Sequence, residues 1–205
     1  MQRIGIFGGT FNPVHSGHLR IVNGFQNALG FDKILVIPTY IPPHKTSSDL
    51  ASSEDRLEMC RLAFTDPVFE VCDIEINRGG KSFTYDTLLQ LKEIYKDAEF
   101  SLIIGSDMFL SFHEWHRAED ILEMCSVCAT VREDNENISD LEEYAKKYFP
   151  KQAERLRMVL IDFDPLEVSS TQLRQMLSKG QDVSHLVPKA VLEYIKQRGL
   201  YDAEH

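Results

Sequence analysis

Arg3-Ile4-Gly5-Ile6-Phe7-Gly8-Gly9-Thr10-Phe11-Asn12-Pro13-Val14-His15-Ser16-Gly17-His18 is the stretch on which the fold turns. Arg3–Phe7 reads as a short β-rich strand stopped by Gly8-Gly9. Gly17–Leu29 has helical spacing, with Leu19, Val22, Phe25, Ala28 and Leu29 on one face and Gly30 as its stop. Lys33–Ile37 is the next strand, ended by Pro38. Strand, helix, strand is the crossover that a parallel pair of strands requires.

The alternation continues along the chain. Pro38 to Ser53 is a long polar loop, and Ser52-x-x-Asp55 has the pattern of a capping box opening a helix over Glu54–Phe64. Phe69–Ile76 reads as a strand, Asn77-Arg78-Gly79-Gly80 as a turn and Thr84–Tyr95 as a helix. Phe100–Ile104 is wholly apolar, as expected of a strand covered on both faces. Further on, Glu119–Met124 reads as a helix, Val127–Val131 as a strand, Glu133–Asn137 as a polar loop, Leu141–Tyr148 as a helix and Met158–Ile161 as a last strand. Ser169–Leu177 and Lys189–Lys196 close the chain as helices. The expected fold is α/β: a Rossmann-like parallel sheet with helices on both faces and C-terminal helices. Ligands in such sheets lie at the carboxyl ends of the strands, where the strand order reverses.

The 205 residues suit one domain, with a C-terminal helical part at about 165–205. A net charge of −10 argues against a general nucleic-acid binder, which needs a basic excess. One small anionic ligand needs only a local cluster of donors. No apolar run approaches the ~20 residues of a spanning helix, and the N-terminus lacks the pattern of a signal peptide. The expected compartment is the cytoplasm, with Cys60, Cys72, Cys125 and Cys128 as free thiols. Cys125-Ser-Val-Cys128 has zinc-pair spacing without a second pair, and reads as two buried thiols where a helix hands over to a strand.

Three chemistries fit Gly8–His18. Two glycines let the backbone turn tightly and approach a ligand. A following helix N-terminus offers unpaired N–H groups and a positive dipole end, and His15 and His18 share a face there. The segment is neither a dinucleotide fingerprint nor a P-loop, and it lacks the P-loop lysine, so imidazoles and backbone donors would have to polarise phosphates. The second possibility is a glycine turn with two surface histidines. The third is zinc, held by His15 and His18 with His44, His113 or His116.

Gly8-Gly9-Thr10-Phe11-Asn12-Pro13-x-His15-x-Gly17-His18 resembles the signature of the H-x-G-H nucleotidyltransferase superfamily. More closely, the chain is similar to the bacterial nicotinate-nucleotide adenylyltransferases, because four further segments match in order. These are Pro38-x-x-x-Pro42-Pro43-His44-Lys45, Ser82-Phe83-Thr84-Tyr85-Asp86-Thr87-Leu88, Gly105-Ser106-Asp107 followed by Trp115, and Ser169-Ser170-Thr171-x-x-Arg174. Asn12 stands where many members carry Asp, and Val168 where Ile is usual.

The resemblance implies adenylyl transfer from ATP to nicotinate mononucleotide, with Mg²⁺ brought by the ATP and no protein metal site. It implies catalytic roles for His15, His18 and Arg174. Gly8, Gly9, Thr10, Phe11, Gly105, Asp107, Ser169, Ser170 and Thr171 would join these three in holding ATP. Lys45, Thr84, Tyr85, Trp115 and Arg132 would hold the mononucleotide. Each residue also has a plainer reading: a loop lysine for Lys45, helix caps for Thr84, Asp107 and Ser169, and a core or interface tryptophan for Trp115. A non-catalytic nucleotide sensor on the same fold is the rival from another class. Nicotinamide mononucleotide is the rival substrate. The partners expected are the two nucleotides and, as an option, a further copy of the chain, with neither nucleic acid nor membrane.

Overall fold

A computed structural model describes residues 1–42, 50–131, 138–160 and 168–202, without the side chains of 106–107, 130–131, 138–141 and 158–160. The elements run β1 (Gln2–Gly9), α1 (Ser16–Leu29), β2 (Lys33–Pro38), α2 (Ser53–Ala63), β3 (Phe69–Val71), α3 (Ile74–Arg78), α4 (Thr84–Ile94), β4 (Ala98–Ile104), α5 (Ser106–Leu110), α6 (Ala118–Met124), β5 (Ser126–Val131), α7 (Ile138–Tyr148), β6 (Leu156–Leu160), α8 (Ser170–Ser178) and α9 (Lys189–Arg198). The strands form one sheet in the order β3-β2-β1-β4-β5-β6, and every pairing is parallel.

That order follows from short crossovers. From β1 the chain builds outward through β2 to β3, then returns to lay β4 on the other side of β1. The reversal falls between β1 and β4, so the crevice at their carboxyl ends is where such a sheet receives ligands. Gly9 ends β1 and Gly105 follows β4, so both glycine motifs arrive at the crevice.

Strand alternation divides the core between the two faces of the sheet. Ile4, Ile6, Leu35, Ile37, Phe100, Leu102 and Ile104 face α4, α6 and α7, where Leu88, Leu91, Ile121, Leu122 and Tyr144 complete one apolar cluster. Phe7, Ile34, Val36, Ile103 and Cys128 face α1, α2, α8 and α9, where Val22, Phe25, Met59, Leu173, Val191 and Ile195 complete the other. The expected helices on both faces are present, and the C-terminal pair joins the α1–α2 layer. Cys125 and Cys128 are buried free thiols where α6 hands over to β5, and burial pushes the Cys125 thiol up to about 12.

Three expectations need correction. Gly8 and Gly9 do not stop β1; they pair with Ile37 and Pro38 as its last two residues. The strand expected over Phe69–Ile76 ends at Val71, and Ile74–Arg78 is a short helix that absorbs half of the expected turn. A short apolar run fits either period, and tertiary contacts decide between them. Here Ile74 packs on the core, and the buried Glu75 accepts a hydrogen bond from Thr87 Oγ1 in α4 (2.7 Å). The end expected for the last strand at Ile161 lies outside the described residues, as does the Glu133–Asn137 loop.

The C-terminal layer is tied down at α2. Ser52 caps α2 by accepting from the Asp55 amide, as its pattern predicts. The buried Asp55 carboxylate also accepts from Tyr194 in α9 (2.8 Å) and pairs with Arg198 (3.1 Å). Burial alone would raise the pKa of Asp55, but the donors Ser52, Tyr194 and Arg198 outweigh it and hold the carboxyl below its usual range. A lowered folded-state pKa contributes stability that is present above the ordinary aspartate value and lost as pH falls through the folded one. Asp55→Asn is therefore expected to lower stability at pH 7 by about 2 kcal/mol. Urea unfolding should show the gap between variant and wild type closing as pH falls below 3.8, the ordinary aspartate value.

Candidate active site

The two glycines at the end of β1 do different work. A Cβ on Gly9 would stand 3.0 Å from the ring of Phe11, whereas one on Gly8 would meet only the Ile37 carbonyl, at 4.0 Å. Phe11 is in the left-handed region (φ 48°), which turns its buried ring back over Gly9. There it makes edge contacts with Phe7 (5.6 Å), Phe64 (6.1 Å) and the His18 ring (5.1 Å). Gly8, exposed, leaves bare backbone at the mouth of the crevice.

α1 begins just beyond the turn. His15 is its cap residue and His18 lies three positions on, so their rings meet with centroids 3.8 Å apart. The His15 amide donates to His18 Nδ1 (3.2 Å). An imidazole nitrogen that accepts cannot carry the proton, so neutral His18 carries it on Nε2 and is a donor there. His15 is only 7% exposed, and burial pushes its pKa down to about 4. It is therefore neutral at physiological pH, and its Nδ1 is buried without a hydrogen-bond partner among the described residues. The Ser16 amide, among the first donors of α1, already serves the Leu186 carbonyl (2.9 Å).

The C-terminal motif comes to the same place. Ser169 caps α8 in a reciprocal pair with Gln172. Ser170 Oγ donates to the Pro13 carbonyl (3.0 Å), and Arg174 Nη1 to the Asn12 carbonyl (2.9 Å). Thr171 Oγ1 lies 3.5 Å from Arg174 Nη2. Asn12 is buried, and its Oδ1 accepts from the Tyr201 hydroxyl (2.7 Å) and the Ala51 amide (3.0 Å).

The residues just after Trp115 pack on the Ser82–Leu88 motif. Thr84 is the first residue of α4 and Phe83 occupies the cap position, so the reading of Thr84 as a plain cap does not hold. The Arg117 guanidinium lies 3.9 Å from the Tyr85 ring centre, and the His116 ring packs on Phe83 (4.8 Å). Trp115, half-buried, packs on Phe112 (5.3 Å). Gly105 caps α5 and Asp107 is its second helical residue, so Asp107 is not a cap either. The Asp107 side chain, all of Lys45 and His44, and Arg132 lie outside the described residues.

The zinc alternative finds no support among the described residues, where no three His, Cys, Asp or Glu side chains gather. His113 is bonded to the Tyr144 hydroxyl (2.8 Å) and stacked on Tyr148, while His116 sits on Phe83. No helix among the described residues is long and apolar enough to cross a membrane.

Sequence reasoning missed Arg56. Only 1% exposed, it lies beneath the turn, and its guanidinium donates to the Thr10 carbonyl (2.9 Å). The signal was available: Arg56, Met59 and Cys60 share one face of α2, which puts a cation on an apolar stripe.

The family model for cytidylyltransferase-like proteins matches residues 6–176. The probable nicotinate-nucleotide adenylyltransferase of Enterococcus faecalis is 37% identical over 204 residues, which cover 99% of this chain and 86% of that protein. Its counterpart in Dehalococcoides mccartyi is 38% identical over 97% of both chains. Among solved structures, a Plasmodium falciparum nicotinic acid mononucleotide adenylyltransferase complexed with NaAD superposes with a TM-score of 0.80. It is 20% identical and covers 100% of this chain and 99% of its own, a likeness of fold.

The depressed pKa of His15 has a measurable consequence. Unfolded, the imidazole takes up a proton near 6.5; folded, it does so only near 4. Between those values the unfolded state binds more protons, so stability falls as pH falls. Wild type should lose on the order of 3 kcal/mol more than His15→Gln between pH 7 and pH 4 in denaturant titrations without ligand. Equal slopes for the two proteins would mean that His15 is not held neutral by burial.

Proposed function

The chain belongs to the nicotinate-nucleotide adenylyltransferase family, within the wider cytidylyltransferase-like group, and we propose that it transfers the adenylyl group of ATP to nicotinate mononucleotide. The products are nicotinate adenine dinucleotide, a step of NAD biosynthesis, and pyrophosphate. One observation carries the reading. Ser170 and Arg174 of α8 dock on Asn12 and Pro13, beside the paired rings of His15 and His18. Two imidazoles and a guanidinium thus lie around the carboxyl end of β1, donors suited to a triphosphate.

In the proposed reaction a phosphate oxygen of the mononucleotide attacks the α-phosphorus of ATP in line. A P–O bond forms as the bond to the bridging oxygen of pyrophosphate breaks. No protein nucleophile is needed. Acceleration comes from holding the reactants in line and from donors aimed at the charge that develops. Nε2–H of His18 donates to a phosphate oxygen, with its tautomer set by the His15 amide. His15, held neutral by burial, supplies a second donor without the cost of burying a cation. Arg174 and Thr171 face the departing pyrophosphate, while Ser169 and Ser170, whose hydroxyl protons go to Gln172 and Pro13, hold the start of α8 beside it. Gly8, Gly9, Thr10 and Phe11 bring backbone close to the triphosphate, and Gly105 with Asp107 takes the ribose.

Thr84, Tyr85 and Trp115 take the nicotinate end, and Lys45 and Arg132 are assigned to the mononucleotide through family likeness. Mg²⁺ arrives on ATP as part of the substrate. The donors described around the site are imidazole, hydroxyl and guanidinium, so phosphate oxygens and water would hold the ion. The protein is assigned to the cytoplasm, where its free cysteines stay reduced.

Pyrophosphate release with ATP and each mononucleotide tests the reading. Nicotinate mononucleotide should be used with a higher kcat/KM than the amide, and a preference for the amide would overturn the substrate assignment. His18→Ala is expected to lower kcat by about 10²–10³-fold, the scale for one charge-stabilising donor. Gly8→Ala should unfold at the temperature of wild type, because its Cβ meets only the Ile37 carbonyl at ordinary van der Waals distance, yet bind ATP at least about tenfold more weakly by calorimetry.

A further inference from the structure

Residues 43–49 are flanked by two stems, Thr39–Tyr40 on one side and Ala51 on the other. One side chain holds both. Arg56 Nε donates to the Ala51 carbonyl (3.1 Å), Nη1 to the carbonyls of Thr10 (2.9 Å) and Thr39 (2.6 Å), and Nη2 to that of Tyr40 (2.9 Å). Four of the five N–H donors of a guanidinium are thereby used, all on backbone carbonyls. Among the described residues no carboxylate forms an ion pair with Arg56. Burial lowers the pKa of this guanidinium, which nevertheless remains a cation.

A buried charge is retained only where its donors are satisfied, and hydrophobic residues of similar volume would hold α2 in place at lower cost. What they could not do is join three separate pieces of backbone. Two weaker ties run parallel to the guanidinium: the Thr39 amide donates to the Gly9 carbonyl (2.9 Å), and the Ala51 amide to Asn12 Oδ1 (3.0 Å). Thr10 belongs to the segment assigned above to ATP. Thr39–Tyr40 and Ala51 bracket the segment assigned to the mononucleotide.

We propose that Arg56 is a positioning residue for adenylyl transfer, clamping the stems at Thr39–Tyr40 and Ala51 to Thr10 so that the two phosphates meet at the in-line distance. It touches neither substrate. The inference rests on the function proposed above. Loss of the clamp should therefore cost alignment, read in kcat, more than binding of ATP by itself. A lysine keeps the charge but presents its donors from one point and cannot span four carbonyls. The conservative change should not rescue.

The test compares wild type with Arg56→Lys and Arg56→Gln, of which the second keeps a planar amide without the charge. Whichever variants keep the wild-type circular dichroism are carried forward. Hydrogen exchange should quicken at least tenfold at the amides of Thr39 and Ala51 while the amides of β4 stay protected. In the same proteins kcat for pyrophosphate release should fall at least tenfold, with Kd for ATP within threefold of wild type.

Unchanged exchange at Thr39 and Ala51 overturns the clamp. Quickened exchange with kcat within twofold of wild type overturns the positioning role. A fall in kcat matched by an equal weakening of ATP binding assigns Arg56 to plain binding and also overturns it. If neither variant folds, Arg56 is structural and the proposal fails. Should wild type itself release no pyrophosphate from ATP and nicotinate mononucleotide, the proposed function fails and the positioning role fails with it. Exchange would then still report whether Arg56 ties the stems.

Discussion

The ring of Phe11 lies over Gly9 where a Cβ would come within 3.0 Å, and the site is organised around that contact. To put its ring there, Phe11 adopts the left-handed region, an uncommon conformation for a bulky residue that the surrounding packing must over-determine. Phe7, Phe64 and His18 supply that packing. The result is a chain that leaves the centre of the sheet and reaches the start of α1 within a few residues. His15 and His18 then arrive at the carboxyl end of the strand from which the chain has just turned.

A turn this tight leaves carbonyls without regular partners, and buried backbone acceptors must be satisfied. The carbonyl of Thr10 is taken by Arg56, that of Asn12 by Arg174 and that of Pro13 by Ser170. These side chains come from α2 and α8, on the same face of the sheet. Backbone demand at one turn thus gathers distant motifs into one place. It also gives Arg174 structural work: one of its terminal nitrogens holds the turn.

The two histidines are chemically unequal although they stack. The bond from the His15 amide to Nδ1 sets the tautomer of His18, and burial keeps His15 uncharged. Two imidazolium cations at 3.8 Å would repel each other, so a neutral member makes the pair possible without further charge.

Much of this was legible in the sequence. The period of the apolar residues and the glycine and proline punctuation indicated a parallel α/β sheet, with chemistry at the end of the first strand. Ordered motifs named His15, His18, Ser170 and Arg174, which the fold brings together, and Ser52 with Asp55 announced the start of α2. The fate of Ile74–Arg78 was not legible, because a single helical turn and a short strand bear the same apolar pattern until α4 supplies a partner for Glu75. Nor was the role of Arg56: its place on the apolar stripe of α2 marked it as unusual, but local sequence cannot tell which carbonyls a guanidinium meets. By itself the sequence determined which groups are available and the local periods that build strands and helices. Only the tertiary structure decided which backbone carbonyls each guanidinium meets and which histidine loses its charge. Those are properties of separation and burial, and they exist only once segments distant in the chain are packed together.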